Sequence, residues 1–97
     1  MTFKLIIKEE AQLEIIEAFL YYEEKKVGLG GSFLDHLDSY FKWIKNYPFH
    51  FSEKRKPFRE TVIKRFPYLI IYEVLENEVI VYSVFNTWQN PKSKLSR

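Results

Sequence analysis

Hydrophobic residues follow a helical spacing in the first half of the chain and a strand spacing in the second half. Apolar positions recur at three- and four-residue steps from about Glu9 to Lys26, and again from Ser32 to just before Pro48. These positions are Ala11, Ile15, Ala18, Phe19 and Tyr22 in the first segment, and Phe33, Leu37, Tyr40, Phe41 and Ile44 in the second. The spacing predicts two helices with one buried stripe each, packed as an antiparallel hairpin.

The ends of these helices are indicated by local signals. A short strand is predicted at Phe3 to Lys8, directly before the first helix. Between the helices, Gly28, Gly30 and Gly31 supply the backbone freedom for a tight reversal. Ser32 follows them, and its hydroxyl is suited to cap the second helix.

The second half of the chain is rich in β-branched and aromatic residues, which favour strands. Strands are predicted at about Phe58 to Lys64, Tyr68 to Leu75 and Val79 to Asn86, while the aperiodic residues 48 to 57 are predicted to form a loop. The predicted fold is therefore α+β: a short N-terminal strand, an antiparallel helix hairpin and a three-strand antiparallel meander. We expect one domain over residues 1–97.

Both faces of the middle meander strand are apolar, yet two short helices can cover only one face of the sheet. The uncovered face is predicted to carry an apolar patch, and such patches commonly mark interaction sites. Its members are Val62, Leu69, Ile71, Val81 and Phe85. The C-terminal tail, a second copy of the chain or a separate partner chain would each fit this patch, and we favour the separate partner.

Composition narrows the classes of protein that remain. With 97 residues, of which 46% are hydrophobic and 19% aromatic, the chain has room for one core. It has no cysteine and only two histidines, so we expect neither a disulfide framework nor a metal or cofactor site. Its N-terminal apolar run is too short for a signal peptide, and no segment approaches the roughly 20 apolar residues that a membrane helix needs. We therefore predict a cytoplasmic protein.

Charge is unevenly distributed, although the net charge is only +2. Residues 1–53 hold six Lys/Arg and nine Asp/Glu, whereas residues 54–97 hold nine and four. The basic cluster consists of Lys54, Arg55, Lys56, Arg59, Lys64 and Arg65. It fits a nucleic acid or an acidic protein segment as a partner, and it equally fits a strand edge guarded by lysines. His50, in the predicted loop, is a candidate general base but is more typical of a surface residue.

Three sequence features resemble the RelE/ParE toxins of type II toxin–antitoxin systems. They are the pair Tyr21–Tyr22, the run Gly28-Leu29-Gly30 followed by Phe33-Leu34, and the run Arg-Phe-Pro-Tyr-x-x-x-Tyr from Arg65 to Tyr72. The element order is similar over nearly the whole chain. The resemblance implies that a cognate antitoxin protein wraps this chain, and that the uncovered apolar face is the antitoxin site.

The two branches of this superfamily differ in chemistry. RelE-like members cleave messenger RNA on the ribosome with basic residues, which stabilise the charge of the phosphorane. The positions that we match to those cations hold Glu60, Val62 and Leu69, and the segment after the last strand holds Asn86, Thr87 and Gln89. The nuclease site is therefore predicted to be absent.

The ParE-like branch, whose members poison DNA gyrase by binding, fits the segment Phe66-Pro67-Tyr68 better. We predict a ParE-like toxin, with gyrase as a target suggested by branch resemblance alone. Asn86, Trp88 and Gln89 are the target-binding candidates. Two alternatives stay open. One is a ribosome-dependent endoribonuclease with Arg59, Lys64, Arg65 and Tyr72 as catalytic candidates, and the other is a detoxified relative that only binds an antitoxin.

Overall fold

Two helices lie on one face of a five-stranded sheet. The computed structural model describes residues 3–88. The elements are β1 (Lys4–Ile7), α1 (Glu9–Lys25), α2 (Leu29–Asn46), β2 (Glu53–Arg55), β3 (Phe58–Val62), β4 (Tyr68–Leu75) and β5 (Glu78–Asn86). The strand order is β1-β5-β4-β3-β2, in which β1 is parallel to β5 and the other pairs are antiparallel. The predicted α+β fold is confirmed, and β2 extends the predicted meander by one strand.

The helical periodicity produces one core between the helices and the sheet. The buried apolar stripes of both helices pack against one side of β4 and β5, a surface that we call the helix face. Its most buried strand residues are Ile70, Tyr72, Val79, Val81 and Val84. Aromatic rings fill the end near the helix connection, where Tyr22 lies 5.0 Å from Phe66 and Phe33 lies 5.1 Å from Tyr68 between centroids. Such edge-on and tilted ring pairs stabilise a core beyond the area they bury.

The helix connection differs from the prediction that Ser32 caps the second helix. Gly28 has a φ of 91°, and α2 begins directly after it at Leu29. The carboxylate of Glu23 accepts hydrogen bonds from the backbone N–H groups of Gly28 and Gly30 at 2.9 and 3.0 Å, which satisfies donors that a serine cap would otherwise serve. Gly30 lies within α2, where a Cβ atom would come within 2.7 Å of the carbonyl oxygen of Phe19, so this position requires glycine.

The predicted loop between α2 and β3 is wrong at Glu53–Arg55, which form the edge strand β2. All three residues are exposed, so no apolar alternation marked them as a strand. The segment before β2 is anchored to the sheet by two hydrogen bonds. The Tyr72 hydroxyl donates to the carbonyl oxygen of Pro48 at 2.7 Å, and the Arg59 guanidinium donates to that of Phe51 at 2.7 Å.

A β-bulge in β5 changes which side chains face the helices. Ile71 pairs with Ser83 and Tyr72 pairs with Val81, so Tyr82 is an extra residue on β5. Val79 and Val81 face the helices before the bulge, and Val84 does so after it. The prediction that Val81 and Phe85 share the uncovered face is therefore wrong for Val81, which is fully buried in the core.

Candidate functional site

The side of the sheet that faces away from the helices, here called the open face, contains most of the predicted partner site. Leu69 pairs with Val62 and Phe85, while Ile71 pairs with Glu60 and Ser83. Their chain neighbours Ile70 and Tyr72 belong to the helix face, so alternation along β4 places Leu69 and Ile71 on the opposite side. Four of the five predicted patch residues, all except Val81, therefore belong to one surface.

Exposure on the open face is concentrated at its margin. Val62 is 56% exposed and Leu69 is partly buried, whereas Ile71 and Phe85 are each only 2% exposed. The rings of Phe58 on β3 and Tyr82 on β5 meet at 5.6 Å. Because β4 lies between those two strands, this ring pair crosses over β4. The Tyr82 hydroxyl also donates to the Glu73 carboxylate at 2.8 Å. The accessible apolar part of the open face is thus smaller than the sequence suggested.

A second apolar surface was missed in the sequence. Leu13, Ile16 and Leu20 on α1 are each more than half exposed. They are spaced by three and four residues, so they form a stripe on the outer side of this helix. The same spacing was present in the sequence, but the stripe of Ala11, Ile15, Ala18 and Tyr22 already accounted for the helix packing. A helix with two apolar stripes buries one and presents the other to solvent.

An acidic groove separates α1 from the second half of β5. Glu14 accepts hydrogen bonds at 2.9 Å from the backbone N–H of Val84 and from the Ser83 hydroxyl. Strand β1 pairs with β5 only as far as Val81, so Glu14 satisfies a backbone donor beyond the end of that pairing. The groove has a volume of about 420 Å³, and Glu17, Tyr21 and Asn86 also line it.

Two of the three predicted target-binding residues, Asn86 and Trp88, lie where β5 ends. The side-chain carbonyl of Asn86 accepts a hydrogen bond from the Trp88 backbone N–H at 2.8 Å, and the Trp88 side chain is 85% exposed. The Thr87 hydroxyl donates to the Pro67 carbonyl oxygen at 3.1 Å, which ties this end to the β3–β4 turn. Trp88 and Asn86 border a pocket of about 330 Å³ next to Tyr21 and Leu29. Gln89 lies outside the described residues.

Two of the four nuclease candidates have structural roles on the helix face. Arg59 and Tyr72 are cross-strand neighbours, and each anchors the segment before β2 through the hydrogen bonds described above. Burial raises the pKa of Tyr72 to about 12, which keeps its phenol protonated. The Arg59 guanidinium also lies 5.1 Å from the centroid of the Phe49 ring, a distance typical of a cation–π contact.

The other two nuclease candidates are at the turn between β3 and β4. Lys64 and Arg65 are exposed, and Arg65 has a φ of 76°. They are therefore separated from Arg59 and Tyr72 by the length of β3. The positions matched to the cations of nuclease relatives, Glu60, Val62 and Leu69, carry one acid and two apolar side chains on the open face. The structure does not bring the four candidates together into one cationic site.

The part of the chain that the structure describes holds neither a metal-binding cluster nor a membrane-spanning helix. Among residues 3–88, no three His, Cys, Asp or Glu side chains lie close enough together to hold a metal ion. Neither α1 nor α2 is long and apolar enough to cross a membrane. The histidines make local contacts. Nδ1 of His36 lies 2.8 Å from the carbonyl oxygen of Ser32, and the His50 ring packs against Trp43 at 5.1 Å.

Several solved structures share this fold, and three of them are described here. A chain of the chromosomal ParDE toxin–antitoxin system of Pseudomonas aeruginosa matches with a TM-score of 0.77 and 10% identity, over 88% of this chain and 96% of that one. A copper-bound mutant toxin of Helicobacter pylori matches with a TM-score of 0.55 and 24% identity, over 89% and 94%. A conserved hypothetical protein of Helicobacter pylori matches with a TM-score of 0.57 and 24% identity, over 92% and 98%.

Identities of this size establish the fold alone. No curated protein matches the sequence. The family model for the ParE toxin of the type II toxin–antitoxin system parDE matches residues 5–91. The chain therefore belongs to the ParE toxin family, as its resemblance to the RelE/ParE superfamily predicted.

Proposed function

We propose that this ParE-family toxin acts in the cytoplasm by binding a cellular target, with DNA gyrase as the first candidate, and that a cognate antitoxin neutralises it. The observation that carries this proposal is the structural use of Arg59 and Tyr72. Both polar groups are engaged in hydrogen bonds that hold the segment before β2. A catalytic base or acid must instead reach its substrate with a proton to exchange.

The electrostatics of the open face also favour a binding role. Glu60 and Glu73 are its charged residues on β3 and β4, and neither can stabilise the added negative charge of a phosphorane. Val62 and Leu69 instead offer an apolar margin for a protein partner, which we propose is the antitoxin. Ile71 and Phe85 are buried next to that margin and pack beside it.

Induced expression of the chain, with and without the neighbouring open reading frame, tests the proposal. We expect growth arrest that the neighbour relieves, with a DNA-damage response and intact messenger RNA in arrested cells. Cleaved messenger RNA would instead favour a ribosome-dependent endoribonuclease. Absence of arrest would leave an antitoxin-binding relative that has lost its toxicity.

A supercoiling assay with purified gyrase separates the target from the toxicity. Under the proposal, excess toxin inhibits supercoiling or traps cleaved DNA. Asn86→Ala and Trp88→Ala weaken that effect, whereas Val27→Ala, in the exposed connection between the helices, leaves it unchanged. Growth arrest without any effect on gyrase would support the conclusion that the chain is a toxin and would contradict gyrase as its target.

A further inference from the structure

The stretch that comprises α1 and most of α2 and the stretch that follows it carry opposite charge. Residues 9–41 contain eight acidic and two basic residues, whereas residues 42–65 contain two acidic and eight basic ones. Separation on this scale in a chain with a net charge of +2 gives the molecule an acidic part and a basic part. The basic part attracts polyanions over a range set by ionic strength.

A groove between α2 and β3 lies at the border of this basic part, which supplies four of its six lining residues. Its volume is about 430 Å³, and its lining consists of Ser39, Tyr40, Trp43, Phe51, Thr61 and Lys64. Three of these residues are aromatic. The Trp43 ring centroid lies 5.1 Å from that of Phe51 and 6.1 Å from that of Tyr40, and Trp43 is 43% exposed. The groove therefore presents a partly exposed indole beside two further rings.

Polar groups border these rings on the side of β3. The Tyr40 hydroxyl oxygen accepts a hydrogen bond from the Lys64 backbone N–H at 3.2 Å, so its own proton is available to a ligand. The exposed Lys64 side chain starts from the same position, and Thr61 adds a hydroxyl group. Flat aromatic walls with a few donors at the edge suit a planar heterocycle better than an aliphatic side chain.

The groove is continuous with the basic edge of the sheet. Phe51 lines the groove, and the chain runs from it through Ser52 directly into β2. Lys54, Arg55 and Lys56 are all exposed on or beside this edge strand. Lys64 follows the opposite end of β3. Cations thus lie at both ends of β3, and the aromatic groove lies between them.

We propose that this surface binds single-stranded nucleic acid, with a base stacked on Trp43 in the groove and phosphates held by Lys54, Arg55, Lys56 and Lys64. Cations that follow a backbone and exposed rings that stack bases are the two parts of sequence-tolerant single-strand binding. An acidic protein segment would use the cations, but it has no need of the aromatic groove. The site is on the helix side of the sheet and does not depend on antitoxin or gyrase binding.

The test is fluorescence anisotropy of a labelled oligothymidylate of about ten nucleotides, titrated with the 97-residue chain. Binding is expected to weaken steeply between about 50 and 200 mM salt, because condensed counterions are released. In a Trp88→Phe background Trp43 is the remaining indole of the chain, and its fluorescence should be quenched as the oligonucleotide binds.

Two sets of variants separate the contribution of the cations to binding from that of the aromatic rings. The triple substitution Lys54→Ala, Arg55→Ala, Lys56→Ala should lower affinity at least tenfold and reduce the salt slope by about 2, as expected for three lost phosphate contacts on a single strand. Lys25→Ala with Lys26→Ala, in the acidic part, is the matched control and should change neither value. Trp43→Leu should lower affinity about tenfold with a nearly unchanged salt slope, since stacking carries no charge.

Three outcomes would overturn the proposal. The first is no binding at about 50 mM salt, and the second is equal loss of affinity in the Lys25/Lys26 control. The third is a combined result: polyglutamate at equal charge displaces the oligonucleotide, and oligonucleotide binding leaves the Trp43 fluorescence unchanged. That result would indicate a site for an acidic protein segment. Far-UV circular dichroism checks the folding of each variant. If Trp43→Leu fails to fold, quenching in the Trp88→Phe protein still tests stacking.

Discussion

The two faces of the sheet use the same strands but reach burial in different ways. On the helix face, Ile70 and Tyr72 are covered by side chains from both helices. On the open face, the ring pair of Phe58 and Tyr82 crosses over β4, and Ile71 is still only 2% exposed. An apolar strand face without a helix on it is therefore not necessarily exposed. Among residues 3–88, the apolar side chains of this face that remain accessible to a partner lie at its margins, at Val62, Leu69 and Leu75.

The largest expected effect is a difference between two adjacent isoleucines. Ile70→Ala should destabilise the protein by about 3–5 kcal/mol, because its cavity forms in a core closed by helices and strands. Ile71→Ala should cost less, about 2 kcal/mol, since the open face can relax around the smaller side chain. Urea denaturation with unchanged m-values measures both costs. Equal costs would mean that the open face is packed as tightly as the helix face.

Tyr72→Phe tests the polar contact on the helix face. The substitution removes the hydroxyl that donates to Pro48 and leaves a buried carbonyl without that donor, at a cost of about 1–2 kcal/mol. Tyr47→Phe is the control, because Tyr47 is exposed. If both variants are equally stable, the bond to Pro48 does not anchor the segment before β2.

The raised pKa of Tyr72 predicts how the stability of the protein changes with pH in the alkaline range. The pKa of Tyr72 is raised to about 12 in the folded protein by burial, from 10.0. The folded state therefore keeps a proton that the unfolded state loses, and stability should fall as pH rises from about 10 to about 12. Tyr72→Phe should make this decline shallower. Some decline should remain, since burial also raises the pKa of Tyr22 to about 12.

Val62→Lys tests the margin of the open face and rests on the proposed antitoxin site. A charge placed against an apolar partner surface should weaken antitoxin binding about tenfold, or about 1.4 kcal/mol. Because Val62 is 56% exposed, stability should change by no more than about 0.5 kcal/mol. Val27→Lys is the matched control in the helix connection. Titration calorimetry with purified antitoxin measures the affinity of both variants. An unchanged affinity of Val62→Lys would mean that the antitoxin binds elsewhere.

The smallest expected effect is on the cover of the open face. Tyr82→Phe keeps the ring that packs on Phe58 but removes the hydrogen bond to Glu73. Because this bond is only partly buried, water replaces much of it, and the cost should be about 0.5–1 kcal/mol. Thermal unfolding against the wild type measures the difference. A much larger loss would show that the bond, and not the ring contact, closes this face.

Periodicity in the sequence was sufficient to predict α1, α2 and the strands β3, β4 and β5, because each has apolar residues at a regular spacing over several turns or residues. It could not predict β2, whose three residues are all exposed. Nor could it predict the start of α2, where the backbone N–H groups donate to the carboxylate of Glu23 in the preceding helix and not to the hydroxyl of the adjacent Ser32. Contacts that depend on tertiary structure leave no local pattern.

The candidate site was predicted less well than the fold. Strict alternation along β5 placed Val81 beside Phe85, and the extra residue Tyr82 separates them onto opposite faces. The stripe of Leu13, Ile16 and Leu20 was visible in the sequence, but only the packed structure shows which of the two α1 stripes remains exposed. Sequence spacing identifies apolar surfaces, whereas packing decides which of them are accessible.

The extra residue in β5 also affects how the role of a residue in one member of this family can be assigned to the aligned residue in another. A single additional residue in a strand leaves the later residues in the same order but moves each of them to the opposite face of the sheet. In a relative without the counterpart of Tyr82, the residues aligned with Val84, Phe85 and Asn86 would exchange inward and outward positions. A carry-over of target contacts at the end of this strand is therefore valid only between chains that share the insertion.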